Sequence, residues 1–176
     1  VVVDRNCHKS ILHGIVLTGA IPVFLRPTRN HLGIGPIPRD EFSRESIKAK
    51  IRAHPLLAGV DADQVQPRVM VLTQSTYDGI LYDTETIKSA LDGYVEALHF
   101  DEAWIPHAAF HPFYGTYHAM GKKRARPRDS IVYSTQSTHK LLAGISQASH
   151  ILVQDSATRG LDRHLFNEAY LCLLYT

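Results

Sequence analysis

Ser130-Ile131-Val132-Tyr133-Ser134-Thr135-Gln136-Ser137-Thr138-His139-Lys140-Leu141-Leu142 decides how the chain folds. The run Ser130 to Tyr133 is short, β-branched and aromatic, the composition of a buried strand. A polar stretch follows, and Leu141 to Ala148 reads as a helix. Strand, polar rim and helix in that order form the unit of a parallel sheet flanked by helices, so Lys140 stands just past a strand's carboxyl end.

Working outward, the same unit recurs. Strands are expected near Val1–Val3, Ile21–Leu25, Arg68–Leu72, Ala97–Phe100 and His150–Val153. Helices are expected near His8–Leu17, Ser43–Ala53, Asp83–Glu96 and Asp162–Leu174, with the run Asp40-Glu41-Phe42-Ser43 supplying one N-terminal cap and Asp83 another. The predicted class is α/β, a mostly parallel sheet with helices on both faces. Three long connections, 26–39, 54–67 and 104–129, interrupt the alternation, and long loops in compact domains are commonly functional or interfacial.

In open parallel sheets ligands collect beyond the carboxyl ends of the strands. Four polar clusters converge there: Asp4 to His8, Thr73 to Gly79, Asp101, and Ser134 to Lys140. Turn and cap chemistry accounts for some of them. Alternation along the fourth strand puts Asp101 and Ala103 on one face and Phe100 and Glu102 on the other. A carboxylate at the end of an apolar strand is costly unless a cation meets it, and the small Ala103 leaves room for a flat ring.

A lysine and an aspartate so placed are what pyridoxal phosphate (PLP) requires, an amine for its aldehyde and an anion for its ring nitrogen. By itself Lys140 also fits a surface lysine at a helix start, and Asp101 fits a loop or cap aspartate. Ser137, Thr138 and His139, with the amides of the following helix, form an anion site suited to a phosphate. His8 fits either a structural histidine or an imidazole stacked on a pyridine ring.

Composition narrows the class. A chain of 176 residues with 44% hydrophobic residues sustains one domain with its own core, and a formal charge of +2 gives no reason to expect nucleic acid or an anionic membrane as partner. Cys7 and Cys172 fit neither a disulfide framework nor a metal motif, which favours a reducing, cytoplasmic setting. No apolar stretch reaches membrane-spanning length and no basic-then-apolar leader opens the chain. His107, His111 and His118 match no zinc spacing, so no metal is expected, and the cluster Lys122 to Arg128 reads as a solvated loop.

Several blocks carry a resemblance: Asp4-Arg5-Asn6-Cys7-His8-Lys9-Ser10, Phe24 to Asn30, Ser75-Thr76-Tyr77-Asp78-Gly79, His99 to Trp104, Ser137 to Leu142, Ser146 to Ser149 and Phe166 to Tyr170. In this order they resemble the bacterial inducible ornithine/lysine/arginine decarboxylases, PLP enzymes of the aspartate-aminotransferase fold (fold type I). The resemblance implies that Lys140 forms the Schiff base, Asp101 meets the pyridine nitrogen, His8 stacks on the ring, and Ser137 and His139 hold the phosphate. It also implies that Trp104 contacts the phenolic oxygen, with Ser75 and Thr76 nearby. The implied reaction is decarboxylation of a basic amino acid, lysine or arginine before ornithine, in a homodimer or larger homo-oligomer. Because that reaction consumes a proton, the resemblance also implies a part in acid resistance.

Departures from the family pattern are also visible. The first phosphate loop would precede Val1, the His-Thr-rich stretch after Tyr170 is replaced by Leu171-Cys172-Leu173-Leu174-Tyr175-Thr176, and the family's small C-terminal domain is expected to lie outside these residues. Residues 1–176 are therefore expected to be a PLP-binding large domain, incomplete at both ends. An aminotransferase or lyase on the same fold, or an inactive truncated piece, stands as the alternative.

Overall fold

The computed structural model describes residues 1–120 and 125–174; Lys122, Lys123 and Arg124 of the basic cluster lie outside the described residues. A six-stranded sheet runs through the molecule. Its strands are β1 (Val2–Asp4), β2 (Val23–Leu25), β5 (Val69–Thr73), β6 (Ala97–Asp101), β7 (Ile131–Gln136) and β8 (His150–Gln154), in the order β2-β1-β5-β6-β7-β8. All neighbours pair parallel except β7 and β8, which run antiparallel. β3 (Arg29–Asn30) and β4 (Gly33–Ile34) make a separate small hairpin.

The first crossover moves toward one edge of the sheet and the next ones toward the other. Right-handed connections therefore put α1 (Lys9–Thr18) on one face and α2 (Arg44–Arg52) and α3 (Thr84–Leu91) on the opposite one. Ser43 accepts from the Ser46 amide (3.1 Å) and Asp83 from the Thr86 amide (3.0 Å), so both expected caps form. Ile47, Ile51, Ile87 and Leu91 then pack on Val2, Leu25, Met70, Leu72, Leu98 and Phe100. Each such buried side chain stabilises the fold by about 1.5–3 kcal/mol relative to exposure. The face bearing α1 is less covered: that helix has no buried residue, and Val16 and Leu17 are each 79% exposed.

Two expected helices differ. α3 ends at Leu91 rather than Glu96, because the Asp92 carboxylate accepts from the amides of Arg128 (2.8 Å), Asp129 (2.9 Å) and Ser130 (2.9 Å) and Gly93 turns the chain at φ 74°. Burial pushes the Asp92 carboxyl upward, yet these amides hold it below the usual range. The helix expected at Leu141–Ala148 is instead the single turn α4 (Thr138–Leu141), followed by an irregular return to β8. That return packs Gly144 against Thr138: a Cβ there would lie 3.1 Å from the Thr138 hydroxyl and 3.2 Å from its carbonyl carbon. The last helix, α5 (Arg163–Leu174), is capped by Asp162, which accepts from His164 and Leu165 (both 3.0 Å).

Candidate active site

Beyond the carboxyl ends of β1, β5, β6 and β7 lies a cavity of about 690 Å³. His8, Asp101, Ala103, Trp104, Ser137 and Lys140 all line it. Register explains the meeting: Thr73, Asp101 and Thr135 pair side by side at three adjacent strand ends, and Ser137 to Lys140 follow directly from β7. The alternation expected for the fourth strand holds. Phe100 and Glu102 are fully buried on the far face, and the Asp101 Oδ1 accepts from the Ala103 amide at 3.2 Å.

Lys140 lies inside the α4 turn, its amide donating to the Ser137 carbonyl at 3.1 Å. Residues three apart share a helix face, so Ser137 and Lys140 both reach the cavity. His139 does not line it. Its Nδ1 donates to the Ala148 carbonyl (2.8 Å), as does its backbone amide (3.3 Å), so the imidazole closes the loop that follows Lys140. The clasp engages Nδ1 and not Nε2, so it does not displace the phosphate contact that the resemblance implies for His139. With one helical turn behind it, the Ser137 site also has a smaller dipole than the longer helix would have supplied. The Ser137 hydroxyl makes no capping bond of its own.

The Lys140 Nζ stands 4.7 Å from the centroid of the Trp104 ring, and Tyr77 packs edge-on to the same indole at 5.1 Å. A cation against an aromatic face is held by about 0.5–2 kcal/mol. His8 has a structural role, capping α1 through Nδ1, which accepts from the Ser10 amide (3.3 Å), and it also borders the cavity. Ser75 and Thr76 line the cavity as well. Of the three histidines weighed for metal, His107 and His111 pack on Tyr114 at 6.2 and 5.8 Å, and His118 is buried elsewhere.

An amine, a carboxylate, an imidazole and hydroxyls facing one cavity are a donor set that suits PLP. All of residues 1–176 match the Orn/Lys/Arg decarboxylase major domain. The chain belongs to that family. It is 54% identical to lysine decarboxylase LdcA of Pseudomonas aeruginosa over its whole length, 23% of that protein. The solved structure of that enzyme superposes with a TM-score of 0.87 over 98% of this chain and 23% of the other. The constitutive lysine decarboxylase of Escherichia coli is 45% identical over 96% of this chain and 22% of its own length. The biodegradative arginine decarboxylase of the same organism is 43% identical over 97% and 22%. The chain thus spans less than a quarter of the curated relatives it matches.

Further titratable residues stand in or beside the cavity of this family member: His99 and Cys7 line it, and Asp4 is buried at the end of β1. His99, one pleat before Asp101 on the same face, pairs its Nε2 with the Thr135 hydroxyl at 3.0 Å. Burial pushes its imidazole below the usual histidine range, so it stays neutral at pH 7. The fully enclosed Asp4 accepts from the Thr73 amide (2.5 Å), and burial, with a smaller push from Asp101, raises its carboxyl. Cys7 feels the same surroundings. Burial first, then the Asp4 charge, pushes its thiol up to about 11. The thiol borders the cavity but is not a thiolate at neutral pH, so iodoacetamide at pH 8 should label Cys7 far more slowly than the exposed Cys172. Peptide mass mapping of the time course checks this; equal labelling rates would contradict it.

Proposed function

We propose that the protein containing this chain binds PLP and decarboxylates a basic amino acid, lysine in the first place and arginine in the second, to the amine and carbon dioxide. The observation that carries the reading is the convergence of Lys140 and Asp101 on one cavity from adjacent parallel strands. Identity of 54% and 45% to enzymes named lysine decarboxylases supports lysine; the 43% identity to a named arginine decarboxylase keeps that substrate second. Ornithine ranks below both.

When bound, PLP supplies an aldehyde for amines and a ring that takes up the electron pair left by the departing carboxylate. The chain's residues do the rest. Asp101 provides the anion for the ring nitrogen and keeps it protonated. Lys140 would provide the amine that holds the aldehyde, and the Trp104 ring offers its Nζ an aromatic face. His8 gives the ring a flat wall, and Ser137 and Ser75 offer hydroxyls toward the phosphate. We place the enzyme in the cytoplasm, as a homodimer or larger homo-oligomer without nucleic-acid or membrane partners.

Incubating the full-length protein and PLP with lysine, arginine and ornithine separately, then weighing products by mass spectrometry, tests the reading. Cadaverine and carbon dioxide from lysine are expected. A keto acid would indicate an aminotransferase, and no product from any of the three would overturn the proposal.

A further inference from the structure

Glu102 is a charged-type side chain with 0% exposure, placed immediately after Asp101 and pointing to the opposite face of the sheet. Burial of a carboxylate is tolerated only with several donors around it. Here they come from two directions. From β7, the Ser134 hydroxyl donates a short bond to Oε2, and the Gln136 amide nitrogen donates to the same oxygen at 3.3 Å. From the end of the long connection, the Ala119 amide donates to Oε1 at 2.5 Å, and His118 Nε2 lies 3.3 Å from Oε2.

The segment around Ala119 is itself fixed. Gln74 donates to the Tyr117 carbonyl (2.6 Å), Thr84 to those of Thr116 and His118 (2.9 and 3.1 Å), and Lys88 to that of Ala119 (3.1 Å). Glu102 therefore joins three pieces: the strand end bearing Asp101, the strand that runs into Ser137 and Lys140, and the far anchor of the connection that begins with Ala103 and Trp104. Glu102 itself does not line the cavity, although its donor Gln136 does.

We infer that Glu102 is a positioning residue for the site, setting the separation of Asp101, Trp104 and Lys140 from the opposite side of the sheet. The inference rests on the PLP reading of that site. Strand ends are the frayed part of a sheet, and a carboxylate with donors on two neighbouring segments fixes them as a backbone ladder bond cannot. Misplacement of catalytic groups by about 1 Å costs on the order of 100-fold in rate.

The test uses the full-length protein with PLP and three variants: Glu102→Gln, Ser134→Ala, and Leu98→Val as a buried control on the same face of β6. The readouts are PLP affinity, the induced visible circular dichroism of the bound cofactor, kcat and KM separately, and thermal midpoint. Glu102→Gln should weaken PLP binding about tenfold, diminish the induced dichroism and lower kcat about 100-fold with KM little changed. Ser134→Ala, which removes one donor and preserves the fold if Glu102→Gln does not, should shift the same readouts in the same direction by less. Leu98→Val should lower the thermal midpoint and leave cofactor dichroism and affinity unchanged. Glu102 and Ser134 variants that match Leu98→Val in every cofactor readout would overturn the inference while leaving the PLP reading intact. Failure of the unmodified protein to bind PLP would overturn both.

Discussion

Lys140→Ala in the full-length protein is expected to abolish the visible absorbance that PLP acquires on condensing with an amine, and to lower decarboxylation by about 10³-fold or more. The reason is that no second amine takes the same place: among the described residues that line the cavity, Lys9 is the other lysine, and it belongs to a different element, the first turn of α1. The fold should survive. Within the chain the side chain contributes a contact over Trp104 of about 0.5–2 kcal/mol, and the α4 turn is held by backbone bonds such as Lys140 to Ser137. Unchanged far-ultraviolet circular dichroism together with a lost visible band is the expected pair of results; retention of the band would move the imine elsewhere.

Asp101→Asn is expected to give the second largest loss, a fall in kcat of about 10²–10³-fold with PLP still bound. The amide oxygen can still accept from the Ala103 amide, so the strand end keeps its local bond. What disappears is the anion that keeps a pyridine nitrogen protonated. The ¹⁵N chemical shift of ring-labelled PLP reads this directly and should move from the protonated toward the neutral value. An unmoved shift with a normal kcat would remove Asp101 from the ring.

The same substitution bears on stability through Asp4. Folded Asp4 keeps its proton to higher pH than the unfolded chain does, chiefly through burial and partly through the Asp101 charge. The native state therefore binds more protons across that interval, and this residue's contribution to stability falls as pH rises above the ordinary carboxyl value of 3.8. Neutralising Asp101 should make that decline shallower in denaturant titrations run upward from pH 3.8.

The sheet was legible because its strands are apolar, short and β-branched, and their carboxyl ends carry polar clusters that helix packing does not need. Alternation alone placed Asp101 and Ala103 toward the cavity and Phe100 away from it. Three kinds of feature were not legible. The β3–β4 hairpin depends on Asn30 Oδ1 accepting from Leu32 (2.8 Å) and Gly33 (3.1 Å), a local bond hidden in a Pro- and Gly-rich connection. The ends of α3 and α4 are set by long-range partners, Asp92 with the 128–130 amides and Gly144 against Thr138. His139 sits beside Ser137 and Lys140 in sequence, but its Nδ1 meets the Ala148 carbonyl, a partner nine residues on that the sequence did not point to. Glu102 gave only the signal of a polar residue on an inward face; its donors arrive from positions 17 to 34 residues away.

The reversal of direction between β7 and β8 has a wider consequence. A parallel continuation after Lys140 would have needed a crossover helix, whereas here the chain turns straight back, tied by the His139 bonds to Ala148. Lys140 is thus carried on a short segment tethered at both ends to one sheet. Such a segment can be exchanged as a cassette: changes at 142–147 alter how far the amine extends while the sheet, and the anion on its neighbouring strand, stay where they are.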